Sequence, residues 1–493
     1  MSLTNTRQLA LALGLMTAAV LGVGTAHGQD DAGYRIEVEI DGHEDSLVFL
    51  GNYFMDKQYL VDTAEVVDGK AVFAGAEPLP QGTYLFVLPP NNDYAQLHLE
   101  DDQHFALKTR VGSLTESMRV KGDEANERFF AYLQLLGTLR PAADSLRAVA
   151  RDSTLPQATR DAAQAEVERI DAQVQAQQAA VKREAPNSIL AAVLRSMEEP
   201  EMPDFEGTEE EVQRQRYLFY KRHYFDNVDL ADPRALRSSY LAQRIEYYLD
   251  KLVVPAPDSI AREVDMILTR MRPAEESFRF YTSKFLNDYA ASKIVGMDAV
   301  YAYLGEKYYV GGLATWADSA TVAKIAENVA KLKPLLIGQP APTLTLQSRD
   351  ATPIDLYELD ADFTVLFFYD PECGHCKKQT PFVVDFAEAY RDRGVRVVSV
   401  CSKFAPNQQD CWDYVDGKDG MSEHVLNAVD PYHRSKFKVR YDISSTPQIY
   451  VLDRDKRIVS KRIGAEQLGE VVDRLIAMRE AQEVEEAASS SGR

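Results

Sequence analysis

Two cysteines stand two residues apart in "YDPECGHCKKQTP", residues 369–381, and residues 1–372 contain no other. At this spacing Cys373 and Cys376 can exchange disulfides, supply half of a metal site, or close a short structural bridge. Exchange requires a reactive thiolate. The run "FTVLFFYD" before the pair is apolar almost throughout, as in strands buried on both faces. The stretch "KKQTPFVVDFAEAYRDRG" after it has a helical pattern closed by Gly394. Cys373 therefore falls at a helix N-terminus, where unpaired backbone N–H groups and the helix dipole favour a thiolate. Cys376 lies one turn further in, on the same face and more buried, placed to resolve a mixed disulfide formed on Cys373. Gly374 and His375 separate the two. A protonated His375 favours the thiolate, whereas the charge of Glu372 opposes it.

The competing chemistries fit less well. A zinc site needs four ligands, and the remaining cysteines, Cys401 and Cys411, form no second C-x-x-C; the eight histidines are not paired at ligand spacing. No metal is expected, and no cofactor beyond a redox-active Cys373–Cys376 disulfide. A purely structural bridge across so short a loop gains little loop-closure entropy. Cys401 ends the apolar run "RVVSVC" and Cys411 opens "CWDYV". Their even count invites a second disulfide in an oxidising space; two buried, inert thiols are the alternative.

A chain of 493 residues needs about three cores. Residues 29–120 read as β, because "YRIEVEI", "LVFLGNYF" and "TYLFVLP" alternate apolar and polar positions. Asp68-Gly69 between "TAEVV" and "KAVFAG" signals a two-residue hairpin. An antiparallel sandwich or open barrel is expected there. Residues 121–335 read as helical: Ala163, Val167, Ile170, Val174 and Val181 make one apolar stripe, and Phe129, Leu133 and Leu136 make another. Further amphipathic helices are expected over 210–224, 234–252, 258–272, 275–292 and 315–332. Residues 338–482 give strand–helix–strand, then "TPQIYVLDRDKRIVSKRIG" as a hairpin and a last helix, an α/β domain. The end "EVEEAASSSGR", residues 483–493, reads as a disordered tail.

Residues 1–28 carry one arginine, an apolar run over residues 9–23, and small residues at Ala26 and Gly28. This is the pattern of a cleaved signal peptide without a lipid-attachment cysteine, so a periplasmic location with no later membrane span is expected. The net charge of −21 argues against nucleic acid or an anionic membrane as partner.

With its downstream "YDISSTPQIYVLD", the segment "FTVLFFYDPECGHCKKQTP" resembles the thioredoxin fold, in its periplasmic TlpA/ResA-like branch, whose entry segment is similar to "IGQPAPTLTL". The tetrad Cys-Gly-His-Cys with Lys-Lys is also similar to protein disulfide isomerase, which implies a potential nearer roughly −180 than −270 mV. The resemblance implies that Pro447 is a cis-proline facing the cysteines, that Thr446 offers its backbone to a substrate peptide, and that Pro381 kinks the active-site helix. The whole chain resembles exported proteins of Bacteroidetes-type bacteria that join a β domain, a helical domain and a thioredoxin-like domain. There are departures. Glu372 replaces the usual Trp, and Phe367 and Gln379 stand where relatives carry an acid. What takes the proton of Cys376 is then open, with His375 or Glu372 acting through water as candidates.

The resemblance implies a thiol–disulfide oxidoreductase, reductase or isomerase. Its partners would be protein thiols and disulfides and an upstream redox protein, with a homodimer through the N-terminal regions left open. Two other readings compete: a binding or assembly protein using the thioredoxin domain for docking, and a thiol peroxidase. The latter usually has Pro-x-x-x-Thr/Ser-x-x-Cys, which "FFYDPEC" does not match.

Overall fold

The structure is a computed structural model that describes residues 33–491. The signal peptide expected over residues 1–28 lies outside the described residues. The chain is multidomain: β over residues 34–121, helical over 124–332, and α/β beyond.

The N-terminal part is a sandwich of two four-stranded sheets. Strand Tyr34–Asp41 lies between Lys70–Gly75 and His104–Arg110 in one sheet, and Leu47–Phe54 lies between Lys57–Glu65 and Gly82–Leu88 in the other. Ile36, Val38, Val48, Leu50, Tyr84 and Phe86 fill the space between them. Two expectations need correction. The sandwich is not wholly antiparallel, because Tyr34–Asp41 runs parallel to His104–Arg110. Asp68 and Gly69 do turn with φ of 51° and 73°. The hairpin is nevertheless reduced to the single Val67–Lys70 bridge, because the chain crosses there from one sheet to the other. Turn chemistry fixes the reversal but not which sheet the next strand joins.

Helices Glu124–Arg151 and Gln157–Glu184 form a hairpin over this sandwich. Ala163, Val167, Ile170 and Val181 are buried, with Val174 partly so. Asp123 caps the first helix by accepting from the N–H groups of Ala125 and Asn126. The helices between Ser239 and Leu332 share a core rich in aromatic residues, among them Tyr248, Tyr281, Phe285 and Tyr308. Two short helices, Ile189–Ser196 and Asp298–Leu304, have no counterpart in the sequence reading; segments this short carry too few turns for a periodic signal.

In the α/β part, Phe363–Tyr369 is a central strand of a seven-stranded sheet. It runs parallel to Val395–Cys401 and antiparallel to Gln448–Leu452. All seven of its residues are buried, since helices cover both faces. Helix Gly374–Tyr390 leads through Arg391–Arg393 to Gly394, whose φ of 75° ends it. The edge strand Ile458–Lys461 ties this sheet to the helical part: the buried Lys461 ammonium meets the Asp298 carboxylate and the Leu335 carbonyl. The final helix, Leu468–Ser491, runs through most of the expected disordered tail. The Glu and Ala residues of "EVEEAA" are good helix formers and extend an already nucleated helix at little cost. Among the described residues no helix is long and apolar enough to cross a membrane.

Candidate active site

The buried strand ends at Tyr369, and the chain turns sharply at Asp370-Pro371 before the helix begins. The Asp370 carboxylate accepts the Glu372 N–H at 2.9 Å, and the Asp370 carbonyl accepts the Cys373 N–H at 3.1 Å. Cys373 is thereby held as the N-cap of helix Gly374–Tyr390, its sulfur accepting the Cys376 N–H at 3.4 Å. On its other side the Cys373 thiol donates to the Thr446 carbonyl at 3.3 Å. The Thr446-Pro447 peptide bond is cis. Pro381 lies inside the helix, where it cannot donate to the carbonyl one turn back.

The two thiols occupy different environments. Cys373 is partly exposed, whereas Cys376 is fully buried. Partial burial pushes the Cys373 value up, but the Cys376 thiol and the backbone N–H groups of Cys376 and His375 outweigh it and hold the pKa below the ordinary thiol value. Burial pushes Cys376 up to about 11, and the neighbouring Cys373 adds to the rise. The apolar wall behind Cys376 is aromatic. Phe367 stacks on Tyr369 at 5.6 Å, and Tyr369 packs against Tyr414 at 5.2 Å. Thr380 donates to the Cys376 carbonyl at 2.9 Å, and its hydroxyl is 2.7 Å from that of Tyr414.

Several tuning residues play other parts than their types suggest. Glu372 is exposed and its carboxylate pairs with Lys403, which also lies 3.6 Å from Asp370. Its charge is therefore offset locally instead of bearing on Cys373. His375 is exposed and acts on Cys373 through its backbone N–H. Gln379, at the position where relatives carry an acid, accepts the Ala465 N–H at 2.6 Å and fastens the helix to the chain's end.

Four residues of the site escape the sequence reading: Asp370, Lys403, Thr380 and Tyr414. Only Asp370 carries a local signal, since an Asp before Pro at a strand end commonly makes an Asx turn. Burial raises the Asp370 value, but Ser402 at 2.7 Å, the Glu372 N–H and Lys403 hold it below the usual carboxylate range. Its backbone N–H points to the Cys376 sulfur at 3.5 Å. Cys401 and Cys411 are fully buried and joined in a disulfide that links the end of strand Val395–Cys401 to helix Gln409–Asp416.

Residues 336–475 match the Redoxin family. Residues 34–129 and 160–333 match two families described as domains of unknown function, DUF4369 and DUF5106. Over 114 residues the chain is 31% identical to a thioredoxin-like protein of Haemophilus influenzae, a match covering 23% of this chain and 62% of that protein. Over 131 residues it is 22% identical to the thiol-disulfide oxidoreductase ResA of Bacillus cereus, covering 26% of this chain and 70% of the relative. A crystal structure of a thioredoxin-like protein from Bacteroides caccae aligns with 20% identity and a TM-score of 0.41, over 55% of this chain and 96% of that one. The match to the Redoxin family and the likeness to thioredoxin-like relatives thus both fall on the C-terminal α/β domain.

Proposed function

We propose that the protein exchanges disulfides with protein substrates outside the cytoplasm, with Cys373 as nucleophile and Cys376 as resolving thiol. The observation that carries this reading is the division between the two sulfurs: one partly exposed and held towards the thiolate, the other buried with its pKa raised to about 11. The Cys373 thiolate attacks one sulfur of a substrate disulfide. A Cys373–substrate bond forms, the substrate bond breaks, and the other substrate sulfur leaves as thiolate. Cys373 then carries no negative charge, so its contribution to the raised Cys376 value disappears and Cys376 ionises more easily. Cys376 loses its proton to water and attacks Cys373, closing the Cys373–Cys376 disulfide and releasing the substrate as a second thiolate. Two electrons have passed to the substrate, and a dithiol partner must return them to the protein. Run backwards, the same steps oxidise a dithiol substrate. The cis Thr446-Pro447 turn leaves the Thr446 carbonyl beside Cys373, where a substrate backbone can align. The apolar run of residues 9–23 and the buried Cys401–Cys411 disulfide support export to an oxidising space.

Trapping tests the reading. A Cys376→Ala variant of the full chain should accumulate substrate proteins as mixed disulfides on Cys373, released by dithiothreitol and absent from Cys373→Ser/Cys376→Ala. Failure to trap any, or equal trapping by the double variant, would rule out exchange at Cys373.

A further inference from the structure

The chain carries 76 acidic residues against 55 basic ones, yet residues 431–441, "PYHRSKFKVRY", hold four basic side chains and no acidic one. This segment is built onto the active-site strand. Phe437 is buried and stacks on Phe368 at 5.4 Å. The buried Asp430 carboxylate accepts the N–H groups of Arg434 and Ser435, both at 2.9 Å, which fixes the turn. The segment is also joined to the loop beside Cys373. The Ala405 N–H donates to the Pro431 carbonyl at 3.0 Å, and the Phe404 ring lies 4.0 Å from His433. Lys403, next in sequence, pairs with Glu372, the neighbour of Cys373.

The cations on this surface rest on rings and hydroxyls. Arg434 lies over Tyr432 at 5.2 Å, Lys438 over Phe404 at 5.3 Å, and Arg440 bonds the Thr343 hydroxyl at 2.9 Å. Between them Phe404, Tyr432 and Val439 remain 42%, 64% and 72% exposed. The result is a basic patch with apolar centres, linked to the neighbour of the proposed nucleophile through Lys403 and Glu372 and set on an acidic molecule.

We propose that this surface docks an acidic polypeptide segment, one with Asp or Glu and an apolar residue close to its reacting cysteine. The proposal rests on the exchange reading and adds a substrate class to it. Charge complementarity selects the occupant. At physiological salt, charges act over about 8 Å, so a short acidic segment meets only the local cations. A nucleic acid would extend past the patch and meet the acidic remainder of the chain.

The test uses the full-length Cys376→Ala protein and two peptides of equal length. Each carries one cysteine in a disulfide with the same chromophoric thiol, flanked by Asp/Glu in one peptide and Lys/Arg in the other. Cys373 attacks the peptide sulfur, one S–S bond replaces another, and the released chromophore reports the rate. The acidic peptide should react about 10-fold faster or more, with the ratio falling towards one in 0.5 M salt. In Arg434→Glu/Lys436→Glu/Lys438→Glu the preference should vanish or reverse; the corresponding triple Gln variant, neutral at all three positions, should reduce it if the Glu variant does not fold. Equal rates, or a preference that survives both variants, would overturn the docking surface. Hydroxyethyl disulfide, small and neutral, separates the two readings: if it too fails to react with the unsubstituted protein, exchange itself is lost. Loss of a dimer in the Gln variant would instead assign the patch to a second copy of the chain and overturn the proposal.

Discussion

Cys401 and Cys411 are fully buried and bonded to each other, whereas Cys373 reaches solvent with Cys376 beneath it. Both pairs draw on one apolar core that includes Val397, Trp412 and Val451. What separates them is where the backbone delivers the sulfur. Cys401 ends an interior strand, and Cys411 sits on a helix face turned inwards. Cys373 caps a helix, so backbone N–H groups point at its sulfur and stabilise the anion that the interior would penalise. Spacing alone makes two cysteines able to pair; the helix start gives one of them a reason to stay ionised.

The largest contrast concerns turnover. Cys373→Ser should lower disulfide exchange by roughly 10³-fold or more, because it removes the attacking atom. The double variant Cys401→Ala/Cys411→Ala should stay within a few-fold of the unsubstituted protein. Insulin reduction with dithiothreitol as electron source measures both. A comparable loss in the two variants would show that the buried pair takes part in electron transfer and that the contrast is false. An unchanged rate in Cys373→Ser would favour docking without exchange.

The contrast was only partly legible in the residues. Apolar continuity in "FTVLFFY" marks a central buried strand, and the cysteine spacing next to it marks the helix start, because both signals are local. Asp370, Lys403, Thr380 and Tyr414 come together from three separate segments, and no single-segment pattern places a lysine at position 403 against a glutamate at 372. Glu372 and His375 read as charges acting on Cys373. In the fold one is offset by Lys403 and the other contributes its backbone. The β part teaches the same lesson from the other side: the Asp68-Gly69 turn is local and legible, while the crossing between sheets is set by packing at a distance.

Stability sharpens the comparison from the side of the buried pair. The Cys401–Cys411 bridge spans a sequence separation of 10, and constraining a loop of that size in the unfolded chain is worth about 2–3 kcal/mol. Cys401→Ala/Cys411→Ala should therefore lower the unfolding midpoint in urea, with the slope little changed. Cys373→Ser/Cys376→Ser in the reduced protein should move it by much less, since no bond is removed. If the active-site variant loses as much stability, the division into a structural and a reactive pair does not hold.

The finest test is the pH dependence of alkylation in the reduced active site. Iodoacetamide reacts with thiolates, so each rate rises with pH through the pKa of the thiol concerned. Because the Cys373 value is lowered, its alkylation should reach half-maximum below the roughly pH 8.5 of an ordinary thiol, and at pH 7 it should outpace free cysteine. Cys376 should stay unmodified until the pH approaches about 11. In Cys373→Ser the midpoint of Cys376 should fall, because the adjacent thiolate is gone, yet stay above the ordinary value, because burial is the larger cause. Conversely, Cys376→Ala should raise the Cys373 midpoint by removing the thiol that donates to its anion. Peptide mapping after alkylation at a series of pH values resolves the two sites. Overlapping curves near pH 8.5 would mean that the helix start does not differentiate the sulfurs and that exposure alone decides which of them attacks.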